Sequence, residues 1–475
     1  MVVSIIRRPG VGRIETSEAG GRTRGIPMPS IHAFRALQYR GGSGDLSAVI
    51  APPYDVLDGD DRAELLARDA GNIVAVDLPH VPAKELGPPA AYQGAAETLA
   101  GLIEAGTISQ RGTPAIFAYR QRYDMHGKAS ERCGMICTLD AVPFGPREGG
   151  GILAHEQTFG GPKEDRLALM RATKTQTSPI FGLHQDEQGR ATALVRTVMD
   201  ERAADATAET ADGVVHELWT IDDDTTINAY ADALAGEDIF IADGHHRYTT
   251  ALNYLEELGG AGSLPADHPA RRTMFVLVGM SDPGLAIGPT HRVLGGMKDY
   301  SFEKFQEVGA GHLNFEAVDN DPKKFEQQIA SIAEREHRNV FGIYDFDTGL
   351  CSVAWPADDD PLGDDFANKP EAWRHLDVAI VQHLIVEQIC QPELNGGEPV
   401  KWAFPHTIDE VLELGKGKET GSSISGGGRP QLALIVRPTP LEAVREISRA
   451  GELMPQKSTF FFPKLATGLC LNPLA

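Results

Sequence analysis

The sequence predicts an α/β (α+β) protein: a mixed-sheet core elaborated by insertions, with a second α/β lobe after it. Three observations carry this expectation. The apolar run Ile239-Phe240-Ile241-Ala242 is followed by Asp243-Gly244, and then by Tyr248, Ala251, Leu252, Leu255 and Leu258, which share one helical face. Strand, tight turn and helix thus follow one another. Two β-rich runs, 115–123 and 133–139, flank the turn-like Asp124-Met125-His126-Gly127 and read as an antiparallel hairpin, which makes the sheet mixed. Finally, the chain has 475 residues, and single cores rarely grow beyond about 250–300 residues.

The remaining elements follow in order. Residues 1–29 are basic (Arg7, Arg8, Arg13, Arg22, Arg24) and Gly-rich, without the apolar core of a signal peptide, and read as a flexible tail. Order is expected from Ile31. A short apolar strand at 47–50 runs into Ala51-Pro52-Pro53-Tyr54-Asp55-Val56, where paired prolines impose an extended or turning backbone and make a rigid loop. Alternation over 72–78 predicts a strand, and Tyr92, Ala95, Ala96, Leu99, Leu102 and Ile103 predict a helix ended by Gly106. Residues 144–162 are rich in Gly and Pro and read as a long loop carrying His155-Glu156. Helix is expected over 163–173, strand over 178–183 and again over 273–278. From about residue 300, helices (Phe325, Ile329, Ile332) alternate with strands near 340–344 and 432–436. Residues 376–389, apolar on nearly every side, predict a buried helix. A Ser/Gly segment at 420–428 reads as flexible, and the chain closes through Met454-Pro455-Gln456-Lys457 and Phe460-Phe461-Phe462-Pro463-Lys464. The expected organisation is a tail (1–29), a core lobe (30–299) and a second lobe (300–475) whose end returns to the site.

Composition sets limits on function. Hydrophobic residues make up 41% and charged residues 23%, a globular mix. The net charge of -23 opposes nonspecific association with nucleic acid or anionic lipid, although acidic loops such as Asp222-Asp223-Asp224 also serve plain solubility. The five cysteines (Cys133, Cys137, Cys351, Cys390, Cys470) are few and odd in number, which speaks against a disulfide framework and for a reducing cytoplasm. Cys133 and Cys137 lack a second pair downstream and read as buried thiols, not as a zinc site. No window approaches about 20 apolar residues, so no membrane span is expected. The expected partner is a small molecule, with oligomerisation left open. No Walker loop, dinucleotide fingerprint or nucleophile elbow is present.

The chemistry concentrates at Asp243-Gly244-His245-His246-Arg247. A chain that leaves a buried strand, turns at glycine and enters a helix presents backbone N–H groups at the helix start, a setting that attracts phosphate or carboxylate. Arg247 adds a fork of donors, His245 and His246 can donate or shuttle protons, and Asp243 can orient an imidazole or hold a divalent ion. Adjacent histidines point apart, which favours phosphate over zinc. The plain alternative is that Asp243 caps the helix and the histidines fill polar contacts. Asp55 on the proline loop is a candidate base or metal ligand, or simply a turn residue. His155-Glu156 pairs a proton-transfer group with a carboxylate. His291 and Arg292 offer a second basic fork or a salt bridge. Lys457 and Lys464 can deliver cations to a pocket, or belong to an amphipathic chain end.

With these residues in view, the sequence resembles a prokaryotic family known as domain of unknown function 1015. The resemblance rests on Ala51-Pro52-Pro53-Tyr54-Asp55, His155-Glu156-Gln157-Thr158 with Lys163 and Asp165-Arg166, Ile241 to Arg247, Pro289-Thr290-His291-Arg292, and Met454 to Thr459. The Asp-Gly-His-His-Arg turn also resembles the phosphate-gripping turn of the ParB and sulfiredoxin superfamily, some members of which bind nucleotides and some of which phosphorylate free serine. That resemblance implies a ParB/sulfiredoxin-like core, nucleotide phosphates held by Gly244 to Arg247, and a carboxylate such as Asp55 or Glu156 activating an acceptor hydroxyl. His245 stands where sulfiredoxin has its cysteine, so sulfinic acid reduction is not implied.

The leading expectation is a nucleotide-dependent phosphotransferase, an ATP-dependent small-molecule kinase, acting on a serine-like hydroxyl with Mg2+ neutralising phosphate charge. Two alternatives stand beside it. A metal-dependent hydrolase or phosphatase would use His155, Glu156, Asp243 and His245 as ligands, and a regulatory protein would bind nucleotide without turnover.

Overall fold

The computed structural model describes residues 30–417 except 84, 126, 157–159 and 337, together with 424 and 427–475. The expected basic tail, most of the Ser/Gly segment, and Gln157 and Thr158 lie outside the described residues.

The chain is mixed α/β, built on two large sheets. The first has ten strands. Across it, Gly44–Asp45, Ala206–Glu209, Val215–Ile221, Ile116–Met125, Lys128–Asp140, Arg272–Gly279, Ile180–His184, Ile239–Asp243 and Ile152–Leu153 are neighbours in turn, and Ile31–His32 adds to Lys128–Asp140. Most pairs are antiparallel, including the long hairpin in which Phe117 faces Ile136. Arg272–Gly279 with Ile180–His184 and Ile239–Asp243 with Ile152–Leu153 are parallel. The mixed sheet expected from the hairpin is therefore present. Apolar side chains cover both faces: Phe117, Phe240 and Val276 point into one core, and Ile116, Ile239 and Phe275 into the other.

The second sheet has six strands in the order Leu313–Ala317, Cys351–Pro356, Phe341–Asp345, Pro430–Ile435, Arg292–Gly295 and Lys401–Ala403. It already takes in Arg292–Gly295, ahead of the composition shift near residue 300. The apolar stretch 376–389 is a buried helix, Asp377–Ile380 running on as a wider π-type helix over Val381–Leu394. Among the described residues no helix is long and apolar enough to cross a membrane. All five cysteines are free and buried, and burial pushes the thiols up, to about 12 for Cys133 and Cys390.

Two local expectations are corrected. Residues 72–78 contain a one-turn helix, Val74–Asp77, where a strand was expected. Asn72 Oδ1 accepts the Val74 N–H while its amide donates to Ala48 and Ile50 carbonyls, so a single side chain starts the turn. Residues 47–50 turn instead of extending, since the amides of Val49 and Ile50 both donate to Leu46 O.

The end of the chain packs back onto the core of the first sheet. Phe460–Phe462 pairs with Ala286–Gly288. Beyond it, Leu465, Leu469 and Leu471 enter the first core, and Leu471 exchanges backbone hydrogen bonds with Leu37. Arg132, 2% exposed, donates to the carbonyls of Phe462 (3.1 Å) and Pro463. The segment 454–464 is thus stretched across the C-terminal end of Ile239–Asp243, and this crossing creates the site.

Candidate functional site

Phe240 and Ile241 are fully buried and fix the strand that ends at Asp243. Gly244 turns the chain with φ 95° and ψ 26°, a left-handed geometry that costs other L-residues roughly 1–2 kcal/mol. A Cβ there would also lie 3.1 Å from Arg247 Cζ. Glycine is therefore required by backbone and by space. The helix His245–Glu257 starts at once, its first turn closed by Tyr248 N–H on Gly244 O, and Gly244 brings no side chain to cap it.

This helix start lines a hollow of about 60 Å³. Its walls come from four separate stretches: Tyr54 and Asp55 on the proline loop, Glu156, residues 243–247, and Gln456 with Lys457. At roughly 10–15 Å³ per water, it has room for a phosphoryl group and not for a whole nucleotide. Lys457 has φ 57°, a strained conformation for a non-glycine residue.

Charges in and around the hollow are mixed. Asp243 pairs with Arg247 Nη2 at 2.7 Å through one oxygen and with Lys464 Nζ at 3.2 Å through the other. Burial works against its charge, but Lys464 and Arg247 outweigh burial and hold the carboxyl well below the usual carboxylate range. Asp55 makes no hydrogen bond among the described residues. Burial and the nearby Lys457 push His246 down despite Asp55 and Glu156, so this imidazole is neutral at pH 7. With Asp55, Glu156 and Asp243 set against Arg247, Lys457 and Lys464, formal charges cancel, which suits a phosphate accompanied by a cation better than a bare anion.

Several residues hold other places than the sequence suggested. Arg247 reaches the hollow, yet its fork is partly engaged, with Nη1 on Pro179 O and Nη2 on Asp243. Glu156 acts as a clamp: Oε1 accepts from the amides of Ser458 (2.9 Å) and Thr459 (3.1 Å) and from Thr459 Oγ1 (3.2 Å), holding the 456–459 loop over the turn. His155 is fully buried beneath the site, with Nε2 2.8 Å from Thr459 Oγ1, and its backbone N–H donates to His245 Nε2 at 3.3 Å. The two imidazoles pack edge to face at 4.6 Å. Burial, reinforced by His155, pushes His245 well below 6.5, and burial pushes His155 down as well, while His155 does not line the hollow.

His291 and Arg292 do not line the hollow. Both are 1% exposed. His291 Nδ1 accepts from Val436 N–H. Arg292 donates to the carbonyls of Thr290 (2.6 Å), Gln456 (3.3 Å) and Lys457 (3.1 Å) and stacks on Phe404. The expected ligand fork is a brace: Glu156 holds the loop by its N–H groups and Arg292 by its carbonyls. Lys464 likewise serves Asp243 and the Phe460 ring. Both Asp243 oxygens are met by cations, Oδ2 by Arg247 and Oδ1 by Lys464. Among the described residues no cluster of three His, Cys, Asp or Glu is placed to hold a metal ion, so the four-ligand hydrolase set does not assemble. Tyr54 and Gln456, given no role from the sequence beyond the motifs that carry the resemblance, are part of the wall.

The chain is thus a mixed α/β protein in which a glycine turn and the start of a helix line a lysine-flanked hollow. More narrowly, residues 31–379 match the family described as "Protein of unknown function (DUF1015)", and the chain belongs to that family. No curated protein matches. Solved structures with similarity include a free serine kinase variant in complex with ADP (14% identity, 69% of this chain and 95% of that chain, TM-score 0.32). A conserved hypothetical protein from Pyrococcus furiosus (14%, 69% and 98%, 0.30) and C-terminally truncated SbnI from Staphylococcus aureus (11%, 68% and 84%, 0.31) are similar to the same degree.

Proposed function

We propose that the chain is a nucleotide-dependent phosphotransferase, with ATP or another nucleotide as donor and a small hydroxyl-bearing, serine-like metabolite as acceptor. The observation that carries this reading is the convergence of the Gly244 turn and the helix start that follows it, Lys457 and the unbonded Asp55 carboxylate on one phosphoryl-sized hollow. The helix amides and Lys457 hold the oxygens of the transferred phosphoryl group. Asp55 takes the proton of the acceptor hydroxyl as its oxygen bonds to phosphorus and the bond to the departing nucleotide oxygen breaks. The residues present fit Mg2+ only in the open manner common for this ion, through one or two carboxylates and the substrate phosphates. Glu156 Oε2, opposite the clamping oxygen, and Asp55 would hold it, and it would neutralise phosphate charge when bound.

The reading is tested by incubating the protein with ATP or ADP, Mg2+ and a panel of hydroxy amino acids and polyols, followed by phosphorus NMR. A phosphorylated acceptor is expected, with kcat/KM lowered about 100-fold by Lys457→Ala, as for loss of one charge-stabilising donor. Neither binding nor turnover of any nucleotide would contradict it, and binding without product would support the regulatory alternative.

A further inference from the structure

Next to the hollow lies a second cavity of about 30 Å³, and Tyr54 and Arg247 form part of the wall of both. Space for roughly two or three waters is too small for a metabolite and right for one polar head group. Its polar wall includes Asp77 and Thr250, which are 2% and 0% exposed. Asp77 Oδ1 accepts from Thr177 Oγ1 at 2.5 Å and from Ser178 Oγ at 3.2 Å. Asp77 Oδ2 and Thr250 Oγ1 are buried with no hydrogen-bond partner. A buried polar atom left unsatisfied is costly, so each calls for a partner.

Arg166 does not meet this need. Its Nε donates to Asp165 Oδ2 at 2.6 Å, its Nη1 donates to Asp77 O at 2.6 Å, its plane lies 3.9 Å from the Tyr54 ring, and its Nη2, 2.6 Å from Asp165 Oδ2, is itself buried without a hydrogen bond. The nearest approach to the Asp77 carboxylate is 3.6 Å, to Oδ1. Asp165 is also met by Tyr92 at 2.7 Å and His80 at 2.6 Å. Arg247 is engaged by Asp243 and Pro179. The wall thus holds an unmet carboxylate oxygen and an unmet hydroxyl, a pair that a compact donor with several N–H groups satisfies, while Arg166 Nη2 lies against Asp165.

We infer that this chamber receives the protonated primary amine of the acceptor, so that the acceptor belongs to the amino alcohols and hydroxy amino acids. The amine binds Asp77 Oδ2 and Thr250 Oγ1, and the rest of the molecule passes Tyr54 to place its hydroxyl in the hollow. The position of the hydroxyl rests on the phosphotransfer reading; the amine site rests on Asp77 and Thr250 alone.

The test is calorimetric titration of the full chain with ethanolamine and, separately, with ethylene glycol, which differs by the amine, alongside titration with ADP. Ethanolamine is expected to bind at least tenfold more tightly than the glycol. Asp77→Asn should erase that preference, and Thr250→Val should weaken ethanolamine about tenfold, while ADP affinity is unchanged. Because the Thr250 hydroxyl bonds to nothing in the protein, Thr250→Val keeps the fold and guards against a destabilised Asp77 variant. ADP binding without any preference for ethanolamine would overturn the amine site and leave phosphotransfer standing. Ethanolamine preference without nucleotide binding would do the reverse. Equal or absent binding of both small molecules would mean that the chamber holds water only.

Discussion

Asp243→Asn is expected to lower stability by about 3 kcal/mol at pH 7, because it leaves Arg247 and Lys464 facing one another with no counter-charge between them. The Asp243 side chain is 22% exposed, which places the effect at the low end of the range for breaking a buried ion pair. Nucleotide affinity should fall with it, since Arg247 is then released from the turn that Gly244 shapes. The pH dependence has a definite sign. A carboxyl whose folded pKa is depressed contributes stability fully above its unfolded value of about 4, and that contribution is lost as pH falls toward the folded value. The gap between wild type and variant should therefore be widest near neutrality and close below about pH 4. Chemical denaturation of both proteins across that interval checks it, and a difference under 0.5 kcal/mol at pH 7 would show that the pair is not a structural support of the site.

Mild acid should unfold the protein before its carboxylates titrate. Burial pushes His184, His216 and His406 down to about 4 and His291 to about 3. In the unfolded chain each titrates near 6.5, so below that value the unfolded state binds more protons and stability falls with falling pH until the folded values are reached. With about 1.4 kcal/mol per pH unit for each fully shifted group, the four together weaken the fold by up to about 5 kcal/mol per unit below pH 6. The midpoint of thermal unfolding should drop steeply between pH 6 and 4.5. A midpoint that stays level from pH 7 to 5 would mean that these imidazoles are charged or solvated in the folded protein.

The sequence made the strand, turn and helix at 239–258 legible because one glycine separates two clear periodicities, and Gly244 is the residue that the left-handed turn demands. It also pointed to Asp55 and Lys457, which the fold brings to the same hollow across hundreds of residues. What local pattern does not disclose is which polar group is spent on the protein. Arg292 and Glu156 look like ligand groups in one dimension, yet they hold opposite sides of the 456–459 backbone. His155 and His245 read as chemistry, and the fold also packs their rings on each other. The strand expected at 72–78 failed because that stretch is buried on most sides, where alternation loses its meaning, and a single side chain, Asn72, decided the turn. Asp77 and Thr250 carried no signal at all, since an unmet acceptor exists only once the fold has withheld its partners.

The most direct test is the binding of ATP to the intact chain and to Gly244→Ala by isothermal titration. Alanine at this position strains a backbone with φ 95° and crowds Arg247, deforming the amide cradle at a cost of only about 1–2 kcal/mol in stability. Saturable one-to-one binding by the wild type, weakened at least 100-fold in the folded variant, is the predicted result. No binding by the wild type, or equal affinity in both, would contradict a phosphate site at residues 244–247.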